Sequence, residues 1–207
     1  FELCLDISSF VDGIICDYNY VFDPDVRLKR YFSEGQRGDY IFLIDEAHNL
    51  AGRAREMYSA SIIKEDFLEI KKLIKETLPR LTRYLNRVNR LLLEMKRECE
   101  GTEILSDVGP LVMALSSVFS ELEKFLDQYR EFKDRETVLE LYFSVRSFLS
   151  IYERTDEHYR IYSRLLENGN FCVKLLCVNP IQNLAECLSQ GRAAVFFSAT
   201  MLPIRYY

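Results

Sequence analysis

Residues 40–49 are Tyr-Ile-Phe-Leu-Ile-Asp-Glu-Ala-His-Asn, which joins five strand-forming residues to two adjacent carboxylates. An unbroken apolar run of this length, preceded by Gly38 and Asp39, is typical of a strand buried on both faces of a parallel sheet. Ligands of such sheets bind beyond the carboxyl ends of the strands. We therefore predict a strand over 40–44 and a functional site at residues 45–48.

The residue types after this strand suit nucleotide hydrolysis. One carboxylate can hold Mg²⁺ through water, because this ion keeps much of its hydration shell. The next carboxylate can orient and deprotonate the water that attacks a γ-phosphate. The alternative is a helix N-terminus where acids only favour the helix dipole. The full Asp-Glu-Ala-His sequence directly after an apolar strand favours the functional interpretation.

The middle of the chain, about residues 64–167, has helical periodicity nearly throughout, because apolar residues recur there at spacings of three and four. The three sets are Leu81, Leu85, Val88, Leu92 and Met95; Leu111, Leu115, Val118, Leu122, Phe125 and Tyr129; and Val138, Leu141, Val145, Phe148 and Tyr152. Short breaks at Pro79, Gly101, Gly109-Pro110 and Gly169, the last interpreted as a helix stop, predict a bundle of three or four antiparallel helices.

The flanking segments are predicted to be α/β. Residues 171–178 and 191–197 are strand-like, and the second run ends in Ser198-Ala199-Thr200. We expect a fold of α/β plus α class that is mostly helical: a partial parallel sheet formed by residues 1–60 and 169–207, interrupted by a helical insertion over 61–168.

Composition excludes several classes of protein. Apolar residues make up 48% and charged residues 29% of the 207 positions, which excludes general disorder. The net charge of −5 excludes an overall polycation, so nucleic acid would require a local basic patch. Neither an apolar run long enough for a membrane helix nor a signal peptide is visible, so we expect no membrane partner.

The cysteine spacing does not favour a metal site. Six cysteines and two histidines include no Cys-x-x-Cys pair. We predict reduced and mostly buried thiols, as in a cytosolic protein; a structural metal is the less favoured alternative.

A basic stripe lies on one predicted helix face and consists of Arg80, Arg83, Arg87 and Arg90. Residues 80–97 hold six basic and one acidic residue, a local charge of +5, whereas 121–140 hold seven acids and four bases, or −3. The stripe could contact the phosphates of single-stranded DNA. The alternative, which we favour at this point, is a solvated face or one paired with the acidic helix.

The motifs resemble those of one helicase family. Residues 45–48, Asp-Glu-Ala-His, are similar to motif II, the Walker B element, of superfamily 2 helicases. Asn49 and residues 16–24 (Cys-Asp-Tyr-Asn-Tyr-Val-Phe-Asp-Pro) resemble the XPD/DinG branch of iron–sulfur DNA helicases. Residues 195–203 (Val-Phe-Phe-Ser-Ala-Thr-Met-Leu-Pro) resemble its motif III. In that family a helical Arch domain lies between the two motifs, within a RecA-like motor lobe.

The resemblance implies roles for the matched residues. Asp45 would coordinate the Mg²⁺ of MgATP, and Glu46 would activate the hydrolytic water. His48 would contact the γ-phosphate region or motif III. The motif III residues Ser198, Ala199 and Thr200 would couple hydrolysis to movement along DNA, and Tyr18 and Asn19 would lie near the surface facing the Arch and the DNA path.

The resemblance also implies properties of a longer parent protein. The parent would be an ATP-dependent DNA repair helicase that moves 5′ to 3′ on single-stranded or forked DNA, in the cytoplasm or, in a eukaryote, the nucleus. It would use MgATP and hold a [4Fe–4S] cluster, and its helical insertion could also bind proteins.

Other family features are absent from the sequence. It contains no Gly-x4-Gly-Lys-Ser/Thr loop, no cluster cysteines and no second motor lobe, and it does not begin with Met. We therefore expect a fragment, trimmed just past the cluster cysteines, that is inactive by itself. The alternatives are a non-catalytic helical module that docks protein partners and a nuclease-type DinG relative.

Overall fold

The computed structural model describes residues 1–33, 37–74, 78–132 and 134–200. The chain divides into two compact units, a first unit of residues 1–57 and 181–207 and a second unit of residues 58–180. Among the described residues, no helix is both long and apolar enough to cross a bilayer.

The described helices and strands follow one another in this order. The helices are α1 (Glu2–Ser8), α2 (Asn19–Phe22), α3 (Leu50–Met57), α4 (Lys64–Ile74), α5 (Pro79–Glu98), α6 (Gly109–Gln128), α7 (Arg135–Tyr152) and α8 (Ile181–Ser189). The strands are β1 (Ile41–Ile44), β2 (Ala60–Ile63), β3 (Thr102–Ile104), β4 (Tyr159–Leu165), β5 (Phe171–Cys177) and β6 (Ala193–Phe196), and a 3-10 turn spans Ala47–Asn49. About 52% of the described residues are helical, which agrees with the predicted class.

The first unit contains the predicted parallel strand pair. Strands β1 and β6 are parallel, with Ile41 opposite Ala193 and Ile44 opposite Phe196. The prediction that β1 is buried on both faces is wrong, because Ile41 and Leu43 are 63% and 69% exposed. The core of this unit covers only the face that carries Phe42 and Ile44. The buried residues packed there are Phe22, Phe32, Phe42, Ile44, Leu50 and Cys187.

The helices of the second unit confirm the predicted apolar stripes. Helix α5 packs against α4 and α6, and α7 packs against α6 and α4. Every residue of the three predicted sets is buried except the last of each. These last residues are Met95, Tyr129 and Tyr152. They lie in the final turn of a helix or directly after it, where the neighbouring helices cover less of the surface.

The second unit also contains an antiparallel sheet that the helical periodicity did not predict. Its strand order is β2-β5-β4-β3. Residues 102–104 and 159–165 are therefore strands rather than helix, and β5 joins this sheet rather than the parallel one. The physical reason is the turn at Asn168-Gly169, where Gly169 has φ 80°. This dipeptide favours a hairpin, so Gly169 joins β4 to β5 and does not end a helix.

Four of the six cysteines are buried, as predicted, and all six are free thiols in this structure. Among the described residues, no group of three or more His, Cys, Asp and Glu side chains could hold a metal ion.

Candidate functional site

The parallel pairing of β1 and β6 brings two motifs to one edge of the sheet. We call residues 45–48 the first motif and residues 195–203 the second motif. The pairing continues past the strands, since the Phe197 amide donates to the Ile44 carbonyl at 3.0 Å and the Ala47 amide donates to the Phe197 carbonyl at 3.1 Å. Residues 45–48 and 198–200 therefore lie side by side. Met201, Leu202 and Pro203 of the second motif lie outside the described residues.

A left-handed backbone conformation at Glu46 turns the chain sharply after β1. Glu46 has φ 47° and ψ 39° and is the only residue other than glycine with positive φ among the described residues. Its amide donates to Asp45 Oδ1 at 2.7 Å, and its carbonyl accepts from the Asn49 amide at 2.9 Å. Such a conformation costs about 1–3 kcal/mol in a residue other than glycine, and residues that hold it cluster at functional sites.

Four side chains form one hydrogen-bonded cluster across the two strand ends, which we call the strand-end cluster: Glu46, His48, Ser198 and Thr200. His48 Nδ1 lies 2.8 Å from Ser198 Oγ, 3.2 Å from Thr200 Oγ1 and 3.1 Å from Glu46 Oε2. The Ser198 hydroxyl donates to Glu46 Oε2 at 3.1 Å. Since this hydroxyl has one proton, donation to Glu46 leaves the Ser198 oxygen free to accept from a protonated Nδ1 of His48.

The remaining residue of the second motif, Ala199, is exposed between the two polar members of the cluster. The Thr200 amide donates to Ser198 Oγ at 3.2 Å. The loop after β6 is thus held by the Ser198 hydroxyl, which contacts both the first motif and its own backbone.

Tyr18 is a site residue whose contact with the first motif was not predicted from the sequence. The resemblance implied a surface position facing the DNA path, which stays a prediction, and the Tyr18 hydroxyl donates to the backbone carbonyl of Asp45. Partial burial raises the pKa of Tyr18, and the carboxylates of Asp45 and Glu46 raise it further. The hydroxyl therefore stays protonated and remains a donor to the turn. No spacing predicts this contact, because the two residues are 27 positions apart.

A cleft of about 530 Å³ opens beside the turn. Its lining residues are Cys16, Asp17, Tyr18, Asp45, Glu46, Asn49, Gly52, Arg53 and Glu56. Carboxylate oxygen is the ligand that Mg²⁺ prefers, and this ion is usually held by one or two carboxylates, water and substrate phosphates. The exposed carboxylate of Asp45 fits that arrangement.

The same cleft offers little for the phosphates themselves. Arg53 is a cation in the lining, and its Nη1 is 3.6 Å from Glu56 Oε2. A backbone cradle of the phosphate-loop type is absent from the sequence. The residues present therefore fit the metal and the attacking water but not the phosphate chain of a nucleotide.

The basic stripe lies on α5 in the second unit. Arg80 Nε is 3.4 Å from Glu121 Oε1 on α6, which also contacts Lys124 at 2.9 Å. Arg83, Arg87 and Arg90 are exposed. One member of the stripe is thus paired with the acidic helix, as the alternative interpretation expected, and three face solvent.

The comparisons with known proteins lead to helicases. The DEAD_2 family model matches residues 3–67, which include the first motif. The ATP-dependent DNA helicase CHL1 of Meyerozyma guilliermondii is 23% identical over 202 residues, which cover 82% of this chain and 24% of that protein. The structure of S. tokodaii Xpd4 is similar in fold, with a TM-score of 0.53 and 18% identity, over 88% of this chain and 39% of that chain.

This chain therefore spans about a quarter of the length of the curated relative and 39% of the solved one. The predicted resemblance to the XPD/DinG-type helicases is confirmed by the three matches taken together.

Proposed function

We propose that this fragment of an XPD/DinG-type helicase supplies the hydrolytic motif and the Arch-like insertion of a DNA helicase that moves 5′ to 3′ on single-stranded DNA. The observation that carries the proposal is the strand-end cluster. It connects Glu46, at the proposed hydrolytic position, to Ser198 and Thr200 on the neighbouring strand end. The direction of movement and the role of the insertion rest on the family resemblance.

In the proposed reaction, Asp45 and Glu46 have different roles. Asp45 would hold Mg²⁺, and Glu46 would orient the attacking water and take its proton. This water attacks the γ-phosphorus of bound ATP, the bond between that phosphorus and the β–γ bridging oxygen breaks, and ADP leaves. Glu46 suits a general base because its side chain is 54% exposed at the cleft and its position is fixed by the left-handed turn.

The strand-end cluster connects the charge of Glu46 to the position of the loop at residues 198–200. An ionised Glu46 accepts a charge-assisted hydrogen bond from the Ser198 hydroxyl, whose oxygen accepts in turn from His48 Nδ1. Hydrogen bonds to a charged group are roughly twice as strong as neutral ones. When Glu46 takes a proton from the attacking water, it loses its charge, and its bond from Ser198 weakens. The loop at 198–200 is then held less tightly to the first motif. This change is the proposed link between hydrolysis and movement along DNA.

The second unit would guide single-stranded or forked DNA. Arg83, Arg87 and Arg90 are exposed along one face of α5, where they could contact successive phosphates. The +5 charge of this segment offsets the net negative charge of the chain locally.

The complete protein would supply what the sequence of this chain lacks. The phosphate-binding loop, the ligands of a [4Fe–4S] cluster and the second motor lobe would lie outside it. The isolated chain is therefore expected to hydrolyse no ATP above background.

A non-catalytic module that docks protein partners is the second candidate. The second unit favours it, because this unit encloses its own core and exposes large apolar side chains such as Phe143.

The test is Glu46→Gln in the complete protein, with Glu56→Gln as the control, a carboxylate of the same cleft with no proposed role. We expect DNA-stimulated ATP hydrolysis to fall at least about 100-fold in the first variant, since a general base contributes about 10²–10⁴-fold. ATP binding should persist in both. Undiminished hydrolysis in Glu46→Gln would overturn the proposed role, and a complete protein without DNA-stimulated hydrolysis would favour the docking module.

A further inference from the structure

One face of the antiparallel sheet in the second unit, which we call the open face, carries exposed and half-buried side chains, with Cys172 as its one buried member. Along β4, Tyr159 and Ser163 are buried, whereas Arg160 and Arg164 are exposed and Tyr162 is half-buried. Alternate residues of a strand point to opposite faces. Arg160, Tyr162 and Arg164 therefore share the open face, and Tyr159 and Ser163 face the helices.

The register assigns the neighbours of these residues on the same face. Lys174 of β5 lies directly opposite Tyr162, and Cys172 lies opposite Arg164. On the other side, Ile104 of β3 lies opposite Tyr162 and is 76% exposed. A tyrosine ring with an exposed aliphatic neighbour thus lies at the centre, and cations lie around it. We call this surface the sheet platform.

The charge of the sheet platform has one sign. In the four strands, all of which the structure describes, the open-face positions hold three cations and no carboxylate. They are Ser61, Ile63, Thr102, Ile104, Arg160, Tyr162, Arg164, Cys172, Lys174 and Leu176. The one acid of these strands, Glu103, pairs with the buried Ser163 and so faces away.

The contacts of two platform residues agree with this placement. Burial raises the pKa of the Cys172 thiol, and the charges of Arg164 and Lys174 oppose that shift, which requires both cations to lie near the thiol. Asp66, at the start of α4, is the acid that acts on the same thiol. Arg160 Nη1 donates to the carbonyls of Glu157 and Tyr159 at 2.9 and 2.7 Å, so its guanidinium is held in place.

We propose that the sheet platform binds single-stranded DNA, with a base stacked on Tyr162 and phosphates on Arg164 and Lys174. Single-strand sites combine a cationic surface with aromatic rings on which bases stack, and open sheet faces serve this purpose in other folds. Arg160 and Arg164 are about 13 Å apart at about 3.3 Å per residue, a span suited to a few nucleotides. The choice of DNA rests on the proposed helicase function.

An acidic protein segment is the competing ligand. It would use the three cations but would not need an aromatic ring and an exposed isoleucine between them. The central position of Tyr162 therefore favours a ligand with flat bases as well as charges.

The experiment measures binding of the 207-residue chain to fluorescein-labelled oligo(dT) of about 15 nucleotides by fluorescence anisotropy. The variants are Arg164→Ala with Lys174→Ala, Tyr162→Leu and Tyr162→Phe. Arg130→Ala with Arg146→Ala is the matched control, because both arginines are exposed in the same unit and the charge change is equal. Circular dichroism and thermal unfolding establish that each variant is folded.

We expect the double alanine variant to bind at least about tenfold more weakly, and the slope of log K against log salt to shrink by about 1.4, or about 0.7 for each lost phosphate contact. Tyr162→Leu should weaken binding about fivefold or more, whereas Tyr162→Phe should retain it, because stacking requires the ring and not the hydroxyl. The control should change affinity by less than about twofold.

Unchanged affinity in the double alanine variant would overturn the proposal. So would a result in which Tyr162→Leu binds normally and poly-glutamate displaces the oligonucleotide at equal charge concentration, since this outcome identifies a site for acidic protein segments. Neither result depends on hydrolysis by Glu46, so failure here is distinguishable from failure of the helicase proposal.

Discussion

His48 Nδ1 lies 2.8 Å from the hydroxyl oxygen of Ser198, although 150 residues separate the two in sequence. The parallel register of β1 and β6 accounts for this approach, because Ile44 and Phe196 pair and the residues that follow each of them meet at the same sheet edge. The whole second unit lies between the two motifs in sequence. A contact between the motifs therefore requires that the insertion leave the strand pairing intact.

Replacing Ser198 by alanine should separate hydrolysis from unwinding. The variant loses the hydroxyl that contacts Glu46, His48 and the Thr200 amide. One such bond contributes about 0.5–1.5 kcal/mol, so unwinding per ATP hydrolysed by the complete protein should fall about threefold to tenfold. The measurement pairs an ATPase assay with strand separation on a forked duplex. Ser189→Ala, whose hydroxyl donates only locally to the Glu186 carbonyl, is the control, and equal loss of both activities in Ser198→Ala would contradict the coupling role.

Glycine at position 46 should not destabilise the 207-residue chain, even though it removes the proposed base. Glu46 has the left-handed conformation that glycine adopts without strain. Asp45 lacks a positive φ, so Asp45→Gly should cost about 0.5–1 kcal/mol through the added freedom of the unfolded chain. Urea unfolding of both variants tests the contrast. A Glu46→Gly chain less stable than Asp45→Gly would show that the side-chain contacts of Glu46 outweigh the backbone strain.

The sequence predicted those features that depend on local pattern. The stripe through Leu85, Val88 and Leu92 predicted the buried face of α5, and the two motifs predicted both parallel strands. The open sheet was missed because its pairing is non-local. Strand β4 alternates residues in period two, but it follows long helical stripes, and only its partners β3 and β5 fix it as a strand.

Some residues of the candidate site could likewise be predicted from the sequence, and others could not. Asp45, Glu46, His48 and Ser198 stand in contiguous motifs and could be identified from residue order. The contact of Tyr18 with the Asp45 carbonyl depends on where α2 packs, which no short pattern encodes. The neighbours of Tyr162 on the sheet platform likewise follow from register, since a shift by one residue would move the ring to the other face.

Charge reversal in the basic stripe should weaken DNA binding by the complete protein. Arg83→Glu with Arg87→Glu changes two exposed cations on one face of α5. We expect affinity for single-stranded DNA to fall about tenfold, with a smaller salt dependence. Arg130→Glu with Arg146→Glu is the control for net charge. If the two double variants bind equally well, the stripe is a solvated face of the scaffold, as the alternative interpretation holds.

Glu65 should stabilise the second unit more as pH rises. Partial burial raises the pKa of this carboxyl, but hydrogen bonds from the Phe171 amide and Lys96 lower it by more, so the net shift is downward. A lowered pKa gives stability that is present above the ordinary glutamate pKa and lost as pH falls through the folded value. Glu65→Gln should therefore lower the free energy of unfolding at pH 7 by about 1.5–3 kcal/mol, the range for bonds to a charged group.

The free energy of unfolding of Glu65→Gln should differ little from that of the unmodified chain once the pH is below the pKa of Glu65 in the folded state. Urea unfolding between about pH 3 and 7 measures the convergence. Glu98→Gln, at an exposed carboxylate near the end of α5, is the control. A constant difference at all pH values would show that the amide disturbs packing rather than charge.

Asp66, the neighbour of Glu65 in α4, should have the opposite effect. Burial raises the pKa of Asp66, and the charges of Glu69, Glu65 and Glu140 raise it further. The folded state then binds a proton more tightly than the unfolded state, so this group costs stability above its ordinary pKa, and the cost grows until the pH passes the folded value.

Asp66→Asn removes the charge and should raise the free energy of unfolding at pH 7, with a gain that shrinks as pH falls toward 4. Asp127→Asn, at an exposed carboxylate of α6, should leave stability unchanged. Since Glu65 and Asp66 are adjacent, local unfolding would affect both variants alike; opposite signs at pH 7 can arise only from the different partners of the two carboxylates.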